Sequence, residues 1–537
     1  MVIKLKLMRL DGYLSQAYIY KAVLLLFLLG CTREHREYIH SDEEQETARL
    51  QELAEMDLIL DGHQLANAYC NVCHIKPEPD LLTKNVWKGN VLPDMRKRMG
   101  LLYPHESKSI PGTIEAKIYH DHTYISIENY AKIEEYYVQN APEQPLPQNQ
   151  HQEILLGIPG FELESPDFPY KKPSVTTMLR KGERDNLILL GDRLNSLYVI
   201  DHKNQIILDS IPIDSPASDI RLKKSKGFDL LTMGKMDPSS EAIGSYWDYS
   251  ILGDDKIDSK KLINSLNRPV NFSFADLNQN GHEDVVISNF GNHMGSLSWY
   301  EKNESGYQEH VLRNHPGARR SIIKDMNGDG LPDIVVLMAQ AKEGVYIFYN
   351  KGSGQFKEEM VLQFHPLFGL SDFELVDFNG DGHLDILLTN GDNADLSAIS
   401  KNYHGVRIFL NDTKNHFDEK WFFPMYGASR AVAGDFNGDG NIDIAAISFF
   451  PNKAQSPRQD FLYFDNEGDF NFKPYALDVP LDANWLILEK ADIDGDGDED
   501  LLLGSFKFSD MKSFGFALSE FNENWKPYYI LKNQFVR

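Results

Sequence analysis

The segment "DFNGDGHLD", Asp377 to Asp385, runs directly into "DILLTN", Asp385 to Asn390. Oxygen-bearing side chains stand at positions 1, 3, 5 and 9 of the loop, and glycine at position 6. Those oxygens can wrap one hard cation, the carbonyl of position 7 can add a ligand, and the glycine permits the sharp turn. This is calcium chemistry, because magnesium demands tighter octahedral geometry. The flanks decide the fold. An EF-hand needs Glu at position 12 and a helix on each side. Position 12 here is Leu388, and the flank is strand-like.

The pattern recurs five times. The ligand-type residues are Asp276, Asn278, Asn280 and Asp284; Asp325, Asn327, Asp329 and Asp333; Asp377, Asn379, Asp381 and Asp385; Asp435, Asn437, Asp439 and Asp443; and Asp492, Asp494, Asp496 and Asp500. Position 12 is apolar each time: Ile287, Val336, Leu388, Ala446 and Leu503. A metal-free Asn-Gly or Asp-Gly hairpin turn explains one such loop but not five with one carboxylate spacing. Up to five calcium ions would offset part of a net charge of -26.

These repeats resemble FG-GAP/VCBS repeats, found in the integrin α-subunit head and in many bacterial secreted proteins. The resemblance implies a β-propeller with calcium loops on one face. Two earlier segments, Leu179 to Gly191 and Ile220 to Gly234, keep the strand pattern without the ligands. An aromatic-apolar hairpin closes each unit, from "LYVIDHKNQIIL" to "FALSEFNENWKPYYIL", and there are seven. A seven-bladed all-β propeller over residues 153–537, with two calcium-free blades, is the expected architecture. In this family the strand before each calcium loop is innermost. Reading five to eight residues back from each loop gives Arg268, Arg320, Asp372, Arg430 and Trp485. Around a channel mouth these would suit an acidic sugar, another carboxylated ligand or a partner protein.

The N-terminal part reads differently. At 537 residues the chain exceeds one ordinary core, and 42% hydrophobic with 25% charged residues is ordinary globular composition. The acidity argues against a nucleic-acid partner. Lys4, Lys6, Arg9 and Lys21 precede the apolar run Ala22 to Gly30, too short to span a bilayer. With Cys31 it resembles the lipobox of bacterial lipoproteins. That implies a signal peptide over 1–30, a lipid anchor on Cys31, a charged tether over 31–56, and a protein exported to the periplasm or cell surface.

"AYCNVCHIKPEPD", Ala68 to Asp80, holds the other two cysteines. A structural zinc site wants a second pair, and a thioredoxin-like dithiol wants a preceding strand rather than a helix. C-x-x-C-H fits haem c: Cys70 and Cys73 would add to the two vinyl groups, and His74 would bind the iron. Residues 57–142 resemble cytochrome c, with Gly62 eight residues before Cys70 and Ser126 to Pro142 like the last helix. The resemblance implies a small all-α domain, one covalent haem and a methionine distal ligand, for which Met95 is preferred and Met99 is the alternative. Residues 143–152, rich in Pro and Gln, read as a linker.

The expected function is electron transfer to or from a redox partner protein by a membrane-tethered cytochrome, with the propeller binding a glycan, another ligand or a partner. The alternatives are a redox enzyme oxidising a sugar-like substrate on the propeller, and a carbohydrate-binding or adhesion module. No nucleophile triad or dinucleotide fingerprint is present. His293, His315, His365 and His404 are isolated in sequence and read as loop or satisfied histidines rather than a catalytic set.

Overall fold

The computed structural model describes residues 42–535 apart from 57, 104–105, 107–117, 120–121, 150–151, 169–174, 225, 252–256, 393–396, 398, 480, 482–483 and 508–525. Cys31, the apolar run before it and the implied signal peptide lie outside the described residues. Among the described residues no helix is long and apolar enough to cross a membrane. The chain divides into Met1–Arg49 and Leu50–Arg537, and the whole propeller belongs to the second unit.

Seven sheets succeed one another along the chain, six of them built on four consecutive antiparallel strands. Their first strands are Thr176–Lys181, Ala217–Leu222, Pro269–Ala275, Ala318–Lys324, Leu370–Val376, Ala428–Gly434 and Asn484–Ala491. Each first strand contacts the first strands of its neighbours, so these seven line the centre of a seven-bladed propeller. The second strands, such as Asp284–Asn289, Asp333–Met338 and Asp385–Asn390, are buried at every position. Neighbouring blades cover both their faces, which is why "DIVVLM" and "DILLTN" are near-continuous apolar runs. The outer strands meet water and lose that continuity, as in "FKEEMVLQ", Phe356–Gln363.

Every first strand carries a register shift near its start, between Thr176/Met178, Ala217/Asp219, Pro269/Asn271, Ala318/Arg320, Leu370/Asp372, Ala428/Arg430 and Trp485/Ile487. Such bulges bend a strand and re-aim its side chains. Repeated in all blades, they place one residue of each blade at the same level of the centre.

The ring closes by strand exchange. Blade 7 consists of Asn484–Ala491, Asp500–Phe506 and Tyr528–Asn533, and its outer strand is Phe161–Glu164 from the start of the propeller. Phe161 pairs Asn533 and Glu164 pairs Ile530, antiparallel. The last hairpin of the sequence pattern, Phe516 to Leu531, lies largely outside the described residues; among the described residues the outer partner of the third strand is this N-terminal segment. Leu155–Leu156 adds a parallel strand to blade 6.

Before the propeller stand a few helices, chiefly Gly62–Cys70, Leu92–Arg98 and Ile127–Asn140. Leu65, Trp87, Leu92, Tyr130 and Tyr137 form their core, and Leu367 of the propeller belongs to the same cluster. The intervening segment does not hang free: Gln148 Nε2 donates to the His404 carbonyl at 2.8 Å, and Gln148 N donates to Tyr426 Oη at 3.2 Å.

Candidate functional site

The helix Gly62–Cys70 begins with a capping box, in which Gln64 N donates to Asp61 Oδ1 at 2.8 Å and Asp61 N donates to Gln64 Oε1 at 3.2 Å. It crosses Ile127–Asn140 at Gly62. A Cβ there would lie 2.1 Å from the Lys132 carbonyl oxygen and 2.9 Å from Tyr136 Cβ, so only glycine permits this approach. The helix ends at Cys70; Cys73 and His74 follow in the turn, and the two cysteines are thiols rather than a disulfide. Burial pushes the Cys70 thiol up to about 12, with Lys76 opposing. His74 Nδ1 lies 3.0 Å from the Ile75 carbonyl, which can only accept, so Nδ1 donates and Nε2 keeps its lone pair. Burial, then Arg98 and Lys342, lower the His74 pKa despite the Ile75 contact. A neutral imidazole oriented through its other nitrogen is what a metal ligand needs.

Tyr137 Oη donates to the Pro77 carbonyl at 2.8 Å, and Trp87 Nε1 donates to the Pro79 carbonyl at 2.7 Å. The two rings pack with centroids 4.4 Å apart, which pins the chain after His74 to the closing helix. Met95, on Leu92–Arg98, and Met99, which caps it, are both half-buried against this core, and their placement favours neither.

The five carboxylate loops join first to second strands in blades 3 to 7. In each, the N–H of the position-6 glycine donates to Oδ2 of the first aspartate: Gly281 to Asp276, Gly330 to Asp325, Gly382 to Asp377, Gly440 to Asp435 and Gly497 to Asp492, at 2.8–3.2 Å. These glycines have φ between +82° and +99°, where a Cβ would be strained. The final aspartate is buried and clamps the strands. Asp333 Oδ2 accepts from Met326 N at 2.9 Å and Oδ1 from Asn350 N at 2.8 Å; Asp284, Asp385 and Asp500 do the same in their blades. Burial raises Asp443 and Asp500 to about 6, and the neighbouring carboxylates of each loop push the same way. Asp492, Asp494 and Asp500 bring carboxylate oxygens within 4.8 Å of one another. Lys532 reaches Asp494 at 2.6 Å, so this loop has a built-in cation at its rim. The donor set fits a hard cation.

At the centre, the re-aimed residues of blades 2 to 6, with Arg180 and Glu489 two positions beyond the bulge in blades 1 and 7, form a closed belt. Arg180 pairs with Asp219 at 3.0 Å and Glu489 at 2.9 Å; Arg430 pairs with Glu489 at 3.0 Å and Asp372 at 3.1 Å; Arg320 pairs with Asp372 at 2.9 Å. Asn271 completes it, donating to Asp219 Oδ2 at 2.9 Å and accepting from Ser321 N at 2.8 Å. Every blade contributes. Glu489 shows what the belt does electrostatically: burial alone would raise its pKa, but Arg430 and Arg180 outweigh that and hold it below the usual range. Asp219, with one guanidinium, stays raised by burial.

Of the residues expected at a ligand mouth, Arg320, Asp372 and Arg430 are brought together, but paired to one another and to Glu489. Trp485 does not line a mouth. It is fully buried in the core between blades 6 and 7, because the bulge turns it outward into the packing. Arg268 stands apart from the belt, donating to the Met236 and Gly291 carbonyls and lying over Phe290. The members not foreseen are Arg180, Asp219, Asn271 and Glu489. A strict count of five residues before each loop start reaches Asn271, Arg320, Asp372 and Arg430.

An FG-GAP-like repeat family model matches residues 325–388, from the second carboxylate loop to the strand after the third. A T-cell immunomodulatory protein homolog of Plasmodium falciparum (isolate 3D7) is 28% identical over 143 residues, 23% of this chain and 18% of that protein. The chain thus spans about a fifth of the length of that curated relative. Among solved structures, the Pan2 WD40 domain of Neurospora crassa is 12% identical, with a TM-score of 0.43 over 71% of this chain and 100% of that one. U3-55K is 10% identical, with a TM-score of 0.42 over 69% of this chain and 98% of that one. The chain carries FG-GAP-like repeat sequence within a seven-bladed β-propeller.

Proposed function

We propose that the protein is an exported c-type cytochrome, tethered to a membrane by lipid on Cys31, that transfers electrons while its calcium-loaded propeller holds a ligand or partner. One observation carries the haem reading. Cys70 ends a helix that meets the closing helix across Gly62, Cys73 and His74 follow in the turn, and His74 presents a neutral Nε2. Cys70 and Cys73 would hold the haem as thioethers and His74 would bind its iron, with Met95 or Met99 opposite. The haem would supply a reducible iron; the chain holds His74 in one tautomer, and Trp87 and Tyr137 pin the segment after it to the closing helix. The carboxylate loops would take up to five calcium ions.

Expression with a c-type haem maturation system tests the reading. The full chain should keep haem through denaturing electrophoresis, and Cys70→Ala with Cys73→Ala should lose it. A wild-type chain without covalent haem under those conditions sinks the proposal.

A second reading, a ligand- or partner-binding module without redox chemistry, is favoured by the repeat match, which lies wholly in the propeller. A redox titration with the bound partner present separates the two.

A further inference from the structure

The helical core is not closed by helices alone. The connection from blade 4 to blade 5, residues 364–369, inserts Leu367 into the same cluster as Leu65, Trp87 and Tyr137, and Ile399 of blade 5 packs against it. Two residues before Leu367 is His365. Leu367 N donates to His365 Nδ1 at 3.2 Å, so that nitrogen carries no proton. The neutral ring then holds its proton on Nε2, which makes it a donor and not a metal ligand. Around it lie Tyr403, with ring centroids 5.4 Å away, and the stacked pair Phe364 and Phe368 at 4.2 Å. His404 follows, 1% exposed, with Nε2 lacking a hydrogen-bond partner. Burial, then the nearby His74 and Lys401, lower His365 to about 4, so the ring is neutral at ordinary pH.

We infer that the haem pocket is composite: the propeller turn 364–369 supplies one wall, and His365 is a positioning residue that donates its Nε2 proton to a haem carboxylate. The inference rests on the haem reading above. Haem carries carboxylates that need donors when half-buried, and an imidazole N–H in an aromatic wall provides one. The donor offsets negative charge next to the iron. That favours the reduced state, so its loss lowers the midpoint potential.

The test uses the full-length, haem-loaded chain. Potentiometric titration compares wild type, His365→Leu and the near-isosteric His365→Asn, which keeps an N–H donor. His365→Leu should shift the oxidised-to-reduced ratio at fixed potential about tenfold toward oxidised, about 59 mV for one electron. His365→Asn should recover part of the shift, and it keeps the test alive where Leu disturbs folding. Equal potentials in all three at equal haem content overturn the inference and leave the haem reading intact. A change of iron spin state in both variants would make His365 an iron ligand and overturn the donor role. Absence of haem from wild type overturns the Cys70/Cys73 reading and this inference with it.

Discussion

Blades 3 to 7 join their first two strands through carboxylate loops, whereas blades 1 and 2 hold the same junction with basic side chains. In blade 2, Asp229 is 2% exposed and meets Arg221 at 2.6 Å, while Lys223 reaches Asp248 at 2.7 Å. In blade 1, Lys181 pairs with Asp185 at 3.2 Å and also donates to the Asp492 carbonyl. A buried carboxylate at a strand junction needs positive charge nearby. Blade 2 carries that charge covalently beside Asp229, and in blade 1 Asp185 stays exposed; the five carboxylate loops offer a donor set that fits a diffusible cation, the last with Lys532 already at its rim. Blade 2 is therefore a compensated copy rather than a degraded one.

Chelation should widen the contrast most. A site held at about a hundredfold above its dissociation constant contributes roughly 2.7 kcal/mol, and the blades share one fold. Calorimetry with and without chelator should show a large fall in Tm. Hydrogen exchange should rise at residues 276–284 through 492–500, and stay nearly unchanged at Arg221 to Asp229. An unchanged Tm would mean the loops are ordinary turns.

The belt crosses the division, because Arg180 and Asp219 come from blades 1 and 2 and the rest from the others. Arg430→Met leaves Asp372 one guanidinium short and Glu489 likewise. Breaking a fully buried pair costs about 3–5 kcal/mol; Arg430 keeps a fifth of its side chain in water, so about 2–3 kcal/mol is expected in denaturant unfolding. Calcium should not restore it. Within blade 2, Arg221→Met should cost about 2 kcal/mol, since Lys223 remains 3.7 Å from Asp229. If added calcium rescued Arg221→Met, the two kinds of blade would be the same after all.

The sequence makes the repeated features legible and hides those that exist once. Five loops at fixed spacing, with apolar runs behind them, give five blades, and the seven aromatic-apolar hairpins give the count of seven and show which two lack ligands. "FELE", Phe161 to Glu164, closes the ring but is four residues long and pairs with a strand more than 360 positions away, so no local pattern marks it. The belt is half legible. The bulge keeps a strict spacing of five, and choosing by side-chain chemistry within a wider window admits Arg268 and Trp485 in place of Asn271 and Ile487. In blade 7 the residue at that level is Ile487, and Glu489 reaches in two positions later; in blade 1, Arg180 stands two positions beyond Met178 in the same way. Likewise His365 looks isolated because its neighbour His74 is nearly 300 residues away, and His404 because its neighbour is His365 rather than any residue of its own loop motif.

Asn271 gives the smallest expected effect and the most direct test of the belt. Six charged members alternate in sign around seven blades, and alternation cannot close on an odd ring. One position must be neutral, and it falls between Asp219 and Ser321, where a side chain has to donate on one side and accept on the other. Asn does both. Asn271→Asp removes the donor and sets two carboxylates about 2.9 Å apart, so one of them must bind a proton. The new carboxyl would have its folded-state pKa raised. The deficit, about 1–2 kcal/mol at pH 7, should therefore shrink as pH falls below the raised folded-state value toward about 3.9, the unfolded value, because the folded carboxyl then binds its proton first. Urea unfolding of wild type and Asn271→Asp at pH 7 and pH 4.5 reads this directly. A deficit that is equal at both pH values would mean that Asn271 serves shape alone, and that charge alternation does not hold the centre of the ring.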